Sequence, residues 1–129
     1  MKFREFYTSS NKLVLCGKNA EQNEDLIKNH ISPEETVLHT KAPGSPFCVI
    51  KSNKPTAKDI KETAIICAAY SKDWKKNQND VEVHIFKASD ISKQKGMKVG
   101  TFSVKNAKGL IVKKQAIIKF LENYKKLSK

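Results

Sequence analysis

The sequence predicts an α+β fold: a compact single domain with a mixed or antiparallel sheet, two main helices packed on it, and a C-terminal helix. Three observations support this prediction. The chain has 129 residues, enough to bury one hydrophobic core without the support of disulfides or a metal. Short β-type runs and amphipathic helical runs are mixed along the chain. Neither an internal repeat nor a linker long enough to separate domains occurs between them.

Strand-length apolar runs bounded by turn residues recur along the whole chain. Such runs are rich in β-branched and aromatic residues, which favours strands over helices. The runs cover residues 3–7, 13–16, 36–40, 47–51, 81–86, 101–105 and 110–112. We expect the first two runs to form a hairpin across a polar turn, and the last two to form a closing hairpin.

Helix signals occur at three places. Asn19 is a good N-cap for a first helix. Thr56, with Asp59 at the third helical position, caps a second helix whose apolar face continues at spacings of three and four to Ser71. Residues 113–127 also place apolar side chains at helical spacing.

Positive charge is concentrated at the C-terminal end. The formal net charge is +12 at pH 7. Residues 1–90 hold fourteen Lys or Arg against twelve Asp or Glu, whereas residues 91–129 hold eleven Lys against Glu122 alone. This excess predicts a polyanionic partner, with a compositional bias or a solvated face as the alternative. We divide the chain into a domain at 1–112 and a basic amphipathic C-terminal helix or tail at 113–129.

The sequence predicts no catalytic residue, no metal site and no cofactor. Cys16, Cys48 and Cys67 are odd in number and lie in apolar stretches, which favours reduced thiols and a cytoplasmic protein. The histidines form no i,i+4 pair for a metal, and no nucleophile-elbow pattern surrounds Ser45. Charges near the N-terminus and the lack of an apolar run of about 20 residues indicate neither a secretory signal nor a membrane span.

Three loops combine small, amide and cationic residues, at 17–23, 43–45 and 93–101. Lysines neutralise phosphates, and Asn or Gln can hydrogen-bond to base edges or ribose hydroxyls. Each loop also has an ordinary structural interpretation as a helix cap or a turn. Their combination with the charge favours a nucleic acid as the polyanion.

The same loops contain motifs that occur together in a known family. The motifs are Gly17-Lys18-Asn19-Ala20-Glu21-Gln22-Asn23-Glu24, Pro43-Gly44-Ser45 and Lys95-Gly96-Met97-Lys98-Val99-Gly100. In this order they resemble the NFACT-R domain, the RNA-binding module of the NFACT family, over roughly residues 3–112. The chain departs from the family pattern at Lys18, Val37-Leu38 and Pro46, where the family usually has an arginine, an aromatic pair and a histidine. Full-length members also carry an N-terminal domain, a helix-hairpin-helix element and a coiled coil, so we expect a stand-alone form here.

The resemblance implies non-catalytic binding of tRNA or ribosomal RNA, linked to translation or ribosome-associated quality control in the cytoplasm. The large ribosomal subunit is a candidate partner, no membrane partner is expected, and the oligomeric state is not predicted. The alternative is an adaptor or DNA-binding domain, or a subunit of an RNA-modification system. His39 suits a structural hydrogen bond as well as an RNA contact. The predicted RNA-binding residues are Gly17, Lys18, Asn19, Gln22, Asn23, His39, Pro43, Gly44, Ser45, Lys72, Lys93, Lys95, Gly96, Lys98 and Gly100.

Overall fold

The computed structural model describes residues 2–127, in which eight strands form a six-stranded sheet and a separate two-stranded ribbon. The strands are β1 (Arg4–Tyr7), β2 (Leu13–Cys16), β3 (Thr36–Thr40), β4 (Cys48–Ile50), β5 (Val81–Lys87), β6 (Ile91–Ser92), β7 (Ser103–Val104) and β8 (Lys108–Val112). The large sheet has the order β1-β2-β4-β3-β5-β8, and all its neighbouring pairs are antiparallel. β6 and β7 form the ribbon.

Helices cover both faces of the sheet. They are α1 (Ala20–Asn29), α2 (Ala57–Ala69), α3 (Lys72–Asn77) and α4 (Lys114–Leu127). α1 packs on one face, and α2 packs on the other with α3 and α4 beside it. Within residues 2–127, no helix has the length and apolar character needed to cross a bilayer.

The sheet therefore separates two apolar cores. Successive side chains of a strand point to opposite faces, so Val37 joins the core under α1 while Leu38 joins the core under α2. Leu26 of α1 is fully buried in the first core, and Cys67 of α2 is fully buried in the second. The α+β prediction is confirmed, with the sheet entirely antiparallel.

The predicted closing hairpin between 101–105 and 110–112 is wrong. β7 pairs with β6, in the register Ile91 to Val104, whereas β8 pairs with β5, in the register Val83 to Leu110. The two strands therefore belong to different sheets. The physical reason is burial. When β8 pairs with β5, the side chains of Leu110 and Val112 reach the core under α2, and a local hairpin would not bury them there.

The second helix ends earlier than its apolar pattern predicts. α2 stops at Ala69. The side chain of Ser71 accepts a hydrogen bond from the amide of Trp74 and so caps α3, which begins at Lys72. Ser71 also donates to the carbonyl of Ala68. Ser71 is therefore an N-cap and not a helix-interior residue, and the short helix after it was not predicted.

The predicted cap of α2 is confirmed and does more than start a helix. Asp59 and Thr56 form a reciprocal capping box. The carboxylate of Asp59 also accepts from the hydroxyl of Ser10 at 2.6 Å and from the ammonium of Lys12 at 3.1 Å. These contacts, the Ser10 bond first, hold the pKa of Asp59 well below its ordinary range. They tie the turn between β1 and β2 to the start of α2.

Two adjacent isoleucines of α4 test whether this helix belongs to the folded domain. The side chain of Ile117 is fully buried, whereas Ile118 is 36% exposed. We expect Ile117→Ala to lower the free energy of unfolding by about 2 to 5 kcal/mol. Ile118→Ala should cost about 1 kcal/mol or less. Trp74, buried in the same core, reports denaturant unfolding by fluorescence. Equal costs for the two variants would mean that α4 does not contribute to the core.

Candidate nucleic-acid interface

A cleft of about 880 Å³ lies where four segments meet. These are the turn before α1, the loop 40–47 between β3 and β4, the start of α3, and the segment 99–104 that leads into β7. His39 of β3 and His84 of β5, neighbours across the sheet, also line it. Residues that are far apart in the sequence thus share one concave surface.

Ten of the fifteen predicted RNA-binding residues line this cleft, namely Gly17, Lys18, Asn19, Asn23, His39, Pro43, Gly44, Ser45, Lys72 and Gly100. The other five, Gln22, Lys93, Lys95, Gly96 and Lys98, lie outside its lining. The two motifs at 17–23 and 43–45 meet directly, and only the end of the 93–101 loop reaches the cleft. Contact of these residues with RNA stays a prediction.

Asn23 joins α1 to the loop that follows Gly44. Its Oδ1 accepts from the backbone amide of Phe47 at 3.1 Å, and its Nδ2 donates to the carbonyl of Ser45 at 3.3 Å. The residue is 8% exposed, so both bonds are protected from water. Asn23 therefore shapes the cleft, because both ends of its amide group are already engaged.

Two glycines make this close approach possible. A Cβ on Gly17 would lie 2.1 Å from Oδ1 of Asn23, so a larger residue there would displace the Asn23 amide. Gly44 has φ +89°, in the left-handed region, and a Cβ there would lie 2.6 Å from Cδ of Lys72. The carbonyl of Gly44 in turn accepts from the amide of Lys72 at 2.8 Å. The glycines of the two motifs are thus required by packing.

Ser45 also uses its side chain within the fold. Its hydroxyl accepts from the amide of Thr40 at 3.0 Å and donates to the carbonyl of Pro46 at 3.0 Å. The residue is 8% exposed. The hydroxyl closes the loop from β3 to β4, which leaves Ser45 poorly placed to act as a nucleophile.

His39 has a defined tautomer. Its Nδ1 lies 2.7 Å from the carbonyl oxygen of Thr40, which can only accept, so Nδ1 carries the proton. Burial lowers the pKa of His39 below its ordinary 6.5, and the Thr40 bond only partly opposes this shift. At neutral pH the ring is therefore uncharged and Nε2 has a free lone pair. The ring packs against Phe47 at a centroid distance of 4.4 Å.

Glu24 fastens the segment before β7 to α1. Its Oε1 accepts from the amide of Gly100 at 2.7 Å and from Nζ of Lys93 at 3.0 Å, and Lys28 pairs with its other oxygen at 2.8 Å. Lys28, then Gly100, then Lys93 lower the pKa of Glu24 from 4.5 to about 2. Lys93 also donates to the carbonyls of Lys98 and Thr101. The ammonium group of Lys93 is therefore occupied by contacts that hold its own loop to α1.

The charge of the cleft does not come from the lysine-rich end of the chain. Among the residues that the structure describes, five lysines and arginines line the cleft, Arg4, Lys18, Lys41, Lys72 and Lys75, and no Asp or Glu does. All five belong to residues 1–90, where the overall charge is nearly balanced. No lysine of residues 91–124 is part of the lining. Folding, more than composition, concentrates positive charge here.

Several lining residues were missed by the sequence-based prediction. Arg4 reaches the cleft from β1, with its guanidinium 4.2 Å above the ring of Tyr70. Lys75 reaches it from α3, a helix that no pattern predicted. Phe102 lies beside Phe47 at 5.6 Å, ring edge to ring face. Only Lys41, which adjoins the Pro43-Gly44-Ser45 motif, had a sequence signal that could have identified it.

A family model described as "NFACT protein RNA binding domain" matches residues 2–106. The Rqc2 homolog RqcH of Bacillus subtilis is 39% identical over 98 residues, which are 74% of this chain and 17% of that protein. The archaeal Rqc2 homolog aRqcH of Methanocaldococcus jannaschii is 31% identical over 83 residues, 63% of this chain and 12% of its own length. The human ribosome quality control complex subunit NEMF is 32% identical over 78 residues, 57% of this chain and 7% of its own length.

A solved structure is also similar. The C-terminal part of the fibronectin/fibrinogen-binding protein from Streptococcus suis superposes with a TM-score of 0.79 at 26% identity, covering 88% of this chain and 45% of that one. The chain spans less than a fifth of the length of the curated relatives described above. The likeness therefore concerns one domain of larger proteins.

Replacing the Asn23 amide should destabilise the cleft. Asn23→Ala leaves the amide of Phe47 and the carbonyl of Ser45 buried without partners, so we expect the free energy of unfolding to fall by about 2 to 4 kcal/mol in denaturant titrations. The matched control is Asn29→Ala on the exposed side of the same helix, with an expected change within about 0.5 kcal/mol. In a double-mutant cycle, Gly17→Ala should cost less once Asn23 is alanine. Additive costs would contradict the contact between the two residues.

The Glu24 contacts should make the 93–101 loop sensitive to acid. Because the pKa of Glu24 is lowered from 4.5 to about 2, its stabilising effect is complete above pH 4.5 and is lost as the pH falls towards 2. We expect the amide of Gly100 to lose hydrogen-exchange protection across that range. In Glu24→Gln this protection should already be weak at pH 6, whereas Glu21→Gln, exposed on the same helix, should keep it. Equal protection in both variants would show that Glu24 does not hold the loop.

Proposed function

This chain belongs to the NFACT RNA-binding domain family, and from this membership we propose that its cleft binds tRNA or ribosomal RNA without chemically changing it. The membership confirms the resemblance that the three motifs indicated. The observation that carries the proposal is the composition of the cleft: its described lining contains five lysines and arginines and no carboxylate, at the place where two family motifs meet. A concave cationic surface of this kind attracts a polyanion and positions its backbone.

The residues of the cleft divide into two groups under this proposal. Lys18, Lys72 and Lys75 are exposed and make no ion pair with the residues that the structure describes, so we propose that they neutralise phosphates. Lys41 is also exposed, but its ammonium lies 4.0 Å from the carboxylate of Glu82. Asn23 and Ser45 hold the two motifs in place, as their hydrogen bonds indicate. The first group supplies affinity, and the second supplies the shape that brings the lysines together.

The 93–101 loop contributes in a different way. Lys95 and Lys98 are exposed, and we propose them as outer contacts that follow the RNA beyond the cleft. Gly96, with φ +87°, allows the turn that presents them. Lys93 contributes by holding the loop in position, because its ammonium group is bound to Glu24. Gln22 is likewise structural, since it accepts from the amide of Lys18 and donates to the carbonyl of Lys2.

The cellular setting follows from the relatives. RqcH is named as an Rqc2 homolog, and NEMF is named as a subunit of the ribosome quality control complex. These names support our proposal that this chain acts on tRNA or ribosomal RNA in the cytoplasm, with the large ribosomal subunit as its platform. Of the alternatives, the protein adaptor assigns no role to the lysines of the cleft, whereas a DNA-binding domain or a subunit of an RNA-modification system would also use them to bind phosphates.

Charge reversal in the cleft tests this proposal. The triple variant Lys18→Glu, Lys72→Glu, Lys75→Glu should weaken tRNA binding by about a hundredfold or more, because each lost phosphate contact acts on affinity and on its salt dependence. The slope of log K against log salt should shrink by about 2 to 3. Filter binding at several salt concentrations provides both quantities.

The matched control changes the net charge by the same amount outside the cleft. Lys54→Glu, Lys58→Glu, Lys61→Glu alters three exposed lysines at and before the start of α2. We expect it to reduce affinity only a few-fold, through long-range charge. If the control weakened binding as strongly as the cleft variant, the cleft would not be the RNA site. A wild-type protein that binds a protein partner but no RNA would favour the adaptor alternative.

A further inference from the structure

We propose that the cleft accommodates an unpaired nucleotide of the RNA, with Nε2 of His39 accepting a hydrogen bond from it. This inference rests on the proposed function, since it concerns the form of RNA that the same cleft takes. It names both the class of ligand, a single-stranded segment or end, and one residue that recognises it.

The size of the cleft supports insertion of a nucleotide. Its volume of about 880 Å³ lies within the range of roughly 300–1,000 Å³ that is usual for small-ligand sites. An RNA duplex is contacted from outside, across its wide and shallow minor groove, and does not enter a cleft of this size. An unpaired base can leave its stack and be enclosed.

The apolar part of the lining also favours a base. Val99 is 55% exposed and Val104 is 36% exposed, and both line the cleft together with the partly exposed ring of Phe102. Phosphate neutralisation requires no apolar surface, whereas an unstacked base gains from contact with aromatic and apolar side chains. The cleft thus offers a surface for a base beside the lysines for its phosphates.

His39 adds an acceptor to a surface otherwise suited to anions. Its Nδ1 donates to the carbonyl of Thr40 at 2.7 Å, and this bond leaves the lone pair of Nε2 available. A phosphate diester has no hydrogen to donate to that lone pair, but a ribose hydroxyl or a base amino group has. Packing against Phe47 at 4.4 Å holds the ring in place. The geometry therefore suits the sugar or the base of a nucleotide and not its phosphate.

Three polar side chains close to His39 are already engaged within the fold. The amide of Asn23 is engaged at both ends, and the hydroxyl of Ser45 both donates and accepts within its own loop. The hydroxyl of Thr40 donates to the carbonyl of Ala42 at 2.6 Å. His39 differs from these three in keeping an acceptor for the nucleotide.

The test compares two RNA duplexes, each annealed from two strands so that no loop offers an unpaired nucleotide, by fluorescence anisotropy at constant salt. One duplex is blunt, and the other adds a five-nucleotide 3′ overhang to the same base-paired sequence. Wild-type protein should bind the duplex with the overhang about tenfold more tightly. His39→Asn keeps a donor for Thr40 but loses the Nε2 acceptor, so this preference should fall about tenfold, the order expected for one hydrogen bond. His39→Gln places an amide oxygen near the former Nε2 and should retain most of the preference. Thermal unfolding checks that both variants fold.

The outcomes separate this inference from the proposed function. If neither duplex binds, the proposed function fails. If both bind equally to the wild type, or if His39→Asn keeps the full preference, RNA binding stands and the nucleotide in the cleft is refuted. A 2′-deoxy overhang identifies the donor: loss of the preference assigns it to the ribose hydroxyl, and retention assigns it to the base.

Discussion

The buried amide of Asn23 is the contact on which the cleft depends. It satisfies the amide of Phe47 and the carbonyl of Ser45, two backbone groups just before β4 that would otherwise be buried without partners. Gly17 must lack a side chain for this amide to reach them. Ser45 connects this loop to β3, because its hydroxyl accepts a hydrogen bond from the amide of Thr40. His39, one residue before Thr40, is thereby placed beside this loop, and its pairing with His84 of β5 fixes it in the sheet.

The opposite wall of the cleft is held differently. Segment 99–104 is attached to α1 through Glu24, whose partners are one backbone amide and two ammonium groups near the surface. Gly100 has φ +78°, and a Cβ there would lie 2.8 Å from the carbonyl oxygen of Ala20. One wall thus rests on buried hydrogen bonds and the other on ionic contacts that are only partly buried. Acid protonates Glu24 and removes these ionic contacts, so we expect the second wall to open at lower cost.

Local patterns predicted much of the fold, because the information lay within a few residues. Asn19 and Thr56 cap helices as expected, and the alternation in β5 marks a strand. Strand pairing was mispredicted where it depends on distant partners, as in β7 and β8. In the site, the family motifs identified the residues that shape the cleft. Arg4 and Lys75 were not predicted, because only the tertiary fold brings them to the cleft. The excess of lysine in residues 91–129 pointed to a different part of the chain.

Where RNA contacts the chain is the central question, and photo-crosslinking read by mass spectrometry answers it most directly. Zero-length ultraviolet crosslinks to a bound tRNA attach to residues in direct contact with bases. The structure leads us to expect them in segments 39–47 and 99–104, which include His39 and Phe102 of the cleft lining. Crosslinks confined to residues 113–127 would contradict this, since they would place the RNA on α4 and leave the cleft with another role.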